Sequence, residues 1–228
     1  MLVNSEFLPS EKEFFEFLKV RFSTVGIDFN DIKDYLMASL EISQIRFKLN
    51  KTKNFTSIDG SQARFSTTHY STHALLLYQL ARECFLQGRR DLAEKVYFLN
   101  IATTATDLFY EVDLPLKTGC EHPLASVIGR ASFSPTSSLY FYQQCILGSN
   151  LDLGGHEVYP KVNGSLFLYS KATLVGEIEV TGLVILAHAA YAKDAGQLSN
   201  CIVFGSSPDL IIKPLSSEMK LNHSVFFS

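Results

Sequence analysis

Every sixth residue from Val162 onward is aliphatic: Val162, Leu168, Leu174, Val180, Leu186 and Ala192. An amphipathic helix repeats on about 3.6 residues and a half-buried strand on about 2, so neither one imposes such a spacing. A solenoid does: each short strand turns a corner and buries one aliphatic side chain inside a triangular coil. Upstream, Ile128, Phe141 and Leu147 resume the spacing with one extra residue, and a loop over 149–159 breaks the phase. The competing reading of these residues is chance spacing in a β-sandwich.

The first half of the chain has a different period. Pro9 and the acidic Glu11 and Glu13 mark a helix entry, Phe14, Leu18 and Phe22 recur at i+4, and Gly26 is a stop. A second helix is expected from a cap at Asp28 or Asn30 to Lys48, with Ile32, Leu36, Leu40 and Phe47 on one stripe. Residues 51–68 read as loop. A third helix spans Ser71 to Gln87 with Leu77, Ala81, Cys84 and Phe85 on one face, Gly88 closes it, and a fourth runs from Arg90 to Phe109. The expected organisation is α+β: a helical domain over 1–110, a parallel β-solenoid over 111–214 and a tail over 215–228.

Composition narrows the function classes. Hydrophobic residues make up 46% of the 228, enough for a large core, which excludes intrinsic disorder. The net charge of -3, without a basic block, argues against nucleic acid as a partner. The amino terminus lacks a cationic region before an apolar run, so no signal peptide is expected. The longest apolar stretch, Leu183 to Ala192, contains His188 and is too short for a bilayer. Cys84, Cys120, Cys145 and Cys201 lie far apart without a C-x-x-C pair, which predicts reduced thiols in a cytoplasmic protein and no metal site.

Several segments carry a family resemblance. His73-Ala74-Leu75, Gln87-Gly88-Arg89-Arg90, Leu92-Ala93 and Val112-Asp113-Leu114 resemble the helical domain and junction of serine O-acetyltransferases. In the same order follow Glu121-His122, Val127-Ile128-Gly129, Leu147-Gly148, Gly154-Gly155, Tyr159-Pro160-Lys161-Val162 and Gly176-Glu177-Ile178-Glu179-Val180, which look like that family's left-handed β-helix. Val203 to Pro208 resembles the closing segment of hexapeptide-repeat acyltransferases. The resemblance covers about residues 65 to 213.

It implies acetyl transfer from acetyl-CoA to a hydroxyl, without a metal, in a homotrimer whose sites are shared between subunits. His122 matches the catalytic histidine: an imidazole with a pKa near 6.5 can take the hydroxyl proton at neutral pH. Asp113 matches the aspartate that orients the imidazole. Small residues at Gly148, Ser149, Ser170 and Ala172 would admit the pantetheine arm, with Lys193 or Lys213 at the phosphates and His188 lining the cofactor tunnel or lying on the surface. Glu121, Tyr142, His156, Tyr159 and His69 are candidate acceptor contacts. Where serine acetyltransferases continue the Gly-Gly loop into Arg-His-Pro, this chain has Val158-Tyr159-Pro160, and valine cannot grip a carboxylate. Tyr159 with Tyr140, Phe141 and Tyr142 would suit a sugar ring, although wall packing explains them equally well. The expected activity is therefore O-acetylation of a sugar hydroxyl on a bacterial capsule or lipopolysaccharide, and the alternatives are a serine O-acetyltransferase of cysteine biosynthesis or an inactive scaffold.

Overall fold

The structure is a computed structural model that describes residues 9–49 and 69–217, with side chains described from residue 15. Four helices come first: α1 (Pro9–Thr24), α2 (Phe29–Leu49), α3 (Tyr70–Leu86) and α4 (Arg90–Thr104). Their boundaries follow the expected signals. Gly26 and Gly88 take positive φ, +68° and +76°, and end the helices before them, while Asp28 Oδ1 accepts the Asn30 N–H at 2.8 Å to open α2. The last turn of α2 departs from the expected stripe. It buries Ser43 and Arg46 rather than Phe47, and the Arg46 guanidinium donates to Gln79 Oε1 and to the Leu114 carbonyl. The expected loop over 51–68 and most of the tail lie outside the described residues.

α3 is buried nearly all round because it forms the seam between two cores. Leu76, Leu77, Leu80, Ala81 and Cys84 pack with the other helices around Leu18, Phe22, Ile32, Leu36 and Val96. On its opposite side, Ala74, Leu75 and Tyr78 join the solenoid core.

The fourth helix ends five residues earlier than expected. Ala105 closes it at φ 48°, in the left-handed region, and Asp107–Leu108 already pairs in parallel with Val127–Ile128. A run of threonines (Thr103, Thr104, Thr106) weakens helical propensity at this point.

From there the chain winds about five turns with three faces. One face stacks Asp107–Leu108, Val127–Ile128, Ile146–Gly148, Thr173–Val175 and Tyr191–Lys193. A second stacks Lys117–Cys120, Ser138–Phe141, Ser165–Leu168 and the ends of Ile178–Leu186 and Gly196–Phe204. The third holds Ser132–Phe133, Lys161–Val162 and the beginnings of those same two long strands. All six residues of the period-six series are fully buried. They align across turns, Val162 with Val180, Leu168 with Leu186 and Leu174 with Ala192, so three hexads make one turn. Each buried aliphatic side chain contributes about 1.5–3 kcal/mol of burial free energy.

Corners of a solenoid need left-handed backbone, which glycine usually supplies, and glycines are scarce here. Ala105, Ala125, Gln144, Lys171 and Ala189 all take positive φ instead, between 48° and 65°. They form one column, in which Ala125 N–H donates to the Ala105 carbonyl and the Gln144, Lys171 and Ala189 amides donate to Leu124, Gln143 and Ser170. Glycine is sterically required where turns nearly touch. A Cβ on Gly164 would collide with the backbone of Gly182 on the next turn.

The expected loop is an antiparallel hairpin, Asn150–Leu151 against Glu157–Val158, projecting between turns. At the far end, Ile211–Pro214 folds back antiparallel on Cys201 to Phe204 and covers the last parallel edge.

Candidate active site

The solenoid sorts the sequence-predicted residues onto two of its edges. His122 lies on the corner between the second face and the first, directly after Lys117–Cys120. It is exposed and holds φ 49°, and its carbonyl accepts the Leu124 N–H at 2.7 Å across Pro123. Histidine tolerates the left-handed region better than most residues, yet such a conformation persists only where surrounding contacts over-determine it. The anchors are visible: Thr106 Oγ1 donates to the Pro123 carbonyl, and Glu121 N–H donates to the Phe141 carbonyl at 3.0 Å.

Around His122 gather Glu121, His69, Tyr140 and Tyr142. Tyr140 Oη donates to Glu121 Oε2 at 3.3 Å. His69, the residue preceding α3, is half-buried, and burial first, then the neighbouring His122, holds its pKa below the usual histidine value against the opposing pull of Glu121. Burial, and secondarily the charge of Glu121, pushes the Tyr140 and Tyr142 phenols up, so both remain protonated donors. Ser170 and His188 continue this same edge two and three turns further on, since Cys120, Phe141, Leu168 and Leu186 are in register on successive turns and Ala189 N–H donates to the Ser170 carbonyl.

Asp113 is not part of this group. Nine positions separate it from His122, about half a turn of the coil, which puts the two on different sides of the triangle. Its carboxylate instead pairs with Arg82 Nη2 at 3.0 Å. No hydrogen bond or ion pair joins it to His122 among the described residues. Asp113 lines a cleft of about 330 Å³ with Phe109, Glu111, Arg130, Phe133 and Tyr159.

Of the cofactor candidates, Ala172 is corrected by the structure: its methyl is fully buried within the solenoid core, where it cannot line a tunnel. Gly148 and Ser149 lie where the first face turns toward the hairpin, while Lys193 lines a second cleft of about 560 Å³ with Tyr191, Ser207 and Pro208. Lys213 sits 5.8 Å over the Phe204 ring. His156 is committed locally, its Nδ1 at 3.3 Å from Asp152 Oδ2, while Asp152 Oδ1 accepts the Gly154 and His156 amides at 2.8 Å each. No group of three metal-ligating side chains exists among the described residues.

The aromatic run packs on itself. Tyr142 and Tyr169 stack in parallel, 4° apart at 5.5 Å, and Tyr140 stacks on Phe167 at 5.0 Å. Rings that cover one another's faces offer mostly edges to a ligand, which fits wall packing better than a sugar platform.

Sequence reasoning passed over Arg130. The hairpin folds Glu157 back so that its Oε2 pairs with Arg130 Nη1 at 2.9 Å, bringing a guanidinium to the base of the 149–159 loop. Only the stacking of turns reveals this.

Helical bundle followed by a parallel solenoid of hexads is the architecture of the left-handed β-helix of hexapeptide-repeat acetyltransferases. The serine acetyltransferase of Neisseria gonorrhoeae superposes with a TM-score of 0.63 and 16% identity, over 89% of this chain and 80% of that one. Its complex with serine gives 0.62 and 17%, over 86% and 80%. Serine acetyltransferase from Brucella abortus strain S19 in complex with coenzyme A gives 0.54 and 16%, over 89% and 76%. No protein-family model matches the chain, and no curated protein matches it.

Proposed function

We propose that this protein transfers an acetyl group from acetyl-CoA to the hydroxyl of a small acceptor, in the manner of a serine O-acetyltransferase, with His122 as general base. The observation that carries the reading is His122 itself: an exposed imidazole held in a left-handed corner, on the edge that also carries Ser170 and His188. The shared fold supports it, since relatives of this architecture are described with coenzyme A and with serine. The self-stacked aromatic ladder favours this acceptor over the capsule or lipopolysaccharide sugar expected from the sequence.

In the reaction, the imidazole takes the acceptor hydroxyl's proton as the oxygen attacks the thioester carbonyl. The tetrahedral intermediate then collapses, the C–S bond breaks, and the imidazolium returns the proton to the departing CoA thiolate. The acetyl ester and free CoA are the products, and no metal enters the balance. Glu121, adjacent to His122 in sequence and hydrogen-bonded to Tyr140, is the carboxylate whose charge favours the protonated form of the neighbouring His69.

One protomer separates the His122 edge from the edge carrying Asp113, Arg130 and Gly148. A homotrimer brings the first edge of one copy to the second edge of the next and so completes three sites. Four buried, unpaired cysteines suit a reducing, cytoplasmic setting. The test is thiol release from acetyl-CoA with L-serine or with a panel of bacterial polysaccharides, alongside sedimentation. Turnover with serine by a trimer is expected. Turnover restricted to glycans would overturn the acceptor, and a monomer at micromolar concentration would overturn the shared site.

A further inference from the structure

We propose that Tyr140 is a positioning residue: its hydroxyl, reaching back from the next turn of the coil, holds the Glu121 carboxylate beside His69 and His122. Its part in turnover rests on the acetyltransferase reading, while the hydrogen bond that defines it does not.

Register brings the two side chains together. Lys117–Cys120 pairs in parallel with Ser138–Phe141, Gly119 opposite Tyr140 and Cys120 opposite Phe141. Cys120 and Phe141 turn inward to the solenoid core, so Gly119, Glu121, Tyr140 and Tyr142 alternate to the outer side of the same face. Gly119 carries no side chain, and the phenol crosses that position diagonally to donate to Glu121 Oε2 at 3.3 Å. The Glu121 backbone is fixed as well, its N–H donating to the Phe141 carbonyl.

The phenol is held more firmly than the carboxylate it meets. Tyr140 is fully buried, stacks on Phe167 at 5.0 Å and meets Tyr142 edge-on at 5.7 Å, and Tyr142 in turn lies flat on Tyr169. A ring packed on its face and at its edge cannot swing away, so its hydroxyl is preorganised, whereas Glu121 is only half-buried and would otherwise sample several rotamers. Burial, and then the Glu121 charge, pushes the Tyr140 phenol up, so it remains a donor throughout the neutral range. The aromatic ladder thereby has a task beyond covering the wall.

Glu121 is the charge that this arrangement fixes. Among the described residues, the titratable groups facing it are Cys120 on its own strand, His69 before α3, and Tyr140 and Tyr142 on the next turn. Of these and the adjacent His122, only the two histidines can become cations. A carboxylate fixed beside them favours the imidazolium formed when His122 takes the acceptor's proton.

The experiment follows the imidazoles of the intact protein by NMR with histidine labelled at Cε1, the His69 and His122 signals being assigned with His69→Gln and His122→Gln. Thiol release from acetyl-CoA is measured on the same samples. Glu121→Gln should lower both apparent pKa values by about half a unit, and Tyr140→Phe should lower them in the same direction by less. The double variant should match Glu121→Gln alone, because the hydroxyl acts only through the carboxylate. Turnover should follow: Tyr140→Phe lowers kcat about 3- to 10-fold, the size of one hydrogen bond, leaves the KM for acetyl-CoA unchanged, and adds nothing to Glu121→Gln. Glu121→Asp keeps the charge but draws it one methylene away from the phenol; it is the second variant, and it should shift the imidazoles downward whether or not Tyr140→Phe folds. Unshifted imidazoles in folded Tyr140→Phe or in Glu121→Asp, an upward shift, or effects that add in the double variant overturn the positioning role. The expected shifts without any turnover by the wild type keep that role and overturn acetyl transfer.

Discussion

Replacing Leu168 by alanine tests whether the period-six series is the mechanical spine of the solenoid. Leu168 is fully buried and stands between Phe141 on the preceding turn and Leu186 on the next, in register with both. Leucine-to-alanine changes in cores cost about 2.7–5 kcal/mol, the larger values arising where neighbours cannot collapse into the cavity. Here the neighbouring rungs are fixed by continuous backbone ladders on both sides, so a loss of about 4 kcal/mol is expected. For a chain of this size that corresponds to a fall in Tm of about 8–16 °C. Urea and thermal unfolding followed by circular dichroism would measure it, with His156→Ala on the exposed hairpin as the neutral comparison. The effect also reaches the candidate site, because Ser170 follows two residues later on the edge shared with His122. A loss below about 1 kcal/mol would refute the claim that this hexad position carries the stack.

His122→Ala should lower kcat by about 10²–10⁴-fold with acetyl-CoA affinity nearly unchanged; full turnover in the variant would remove His122 as the base. Asp113→Asn should raise the acceptor KM while keeping the wild-type pH limb of kcat, in contrast to an orienting aspartate, whose loss would disturb that limb. His69 has its pKa lowered on folding, so the unfolded chain takes up a proton first as the pH falls, and stability declines below about pH 6.5. His69→Gln should flatten that decline in urea midpoints between pH 7.5 and 5.5; an identical slope in the variant would contradict the assignment. Burial pushes the Cys84 and Cys120 thiols up to about 12 and Cys145 to about 11, so a disulfide reagent at pH 8 should label them only on unfolding. Rapid reaction in the native state would show that these residues are not enclosed.

What the sequence settled by itself is whatever depends on short-range period and on single-residue backbone preferences. Val162 to Ala192 at intervals of six define the coil, since each hexad needs one inward aliphatic residue. Gly26, Asp28 and Gly88 bound the helices, because left-handed φ and side-chain capping act within a turn of their own position. The proposal that His122 acts beside Glu121 likewise starts from residue types alone. The end of α4 was not legible in this way, since Ala105 adopts a left-handed corner that alanine alone would not announce and that parallel pairing of the next strand enforces. Which side chains share an edge was decided only by the tertiary structure. A six-residue difference along the chain is one face of the triangle, so Asp113 and His122, near in sequence, stand apart, while Arg130 and Glu157, on successive turns, form an ion pair. Tyr142 and Tyr169 were similarly free in sequence to line a ligand site, and the rung spacing stacked them on each other instead. The physical reason is common to all three cases: the repeat fixes each residue's direction locally, but its neighbours come from adjacent turns, whose lengths are set by the hairpin and the irregular first coils.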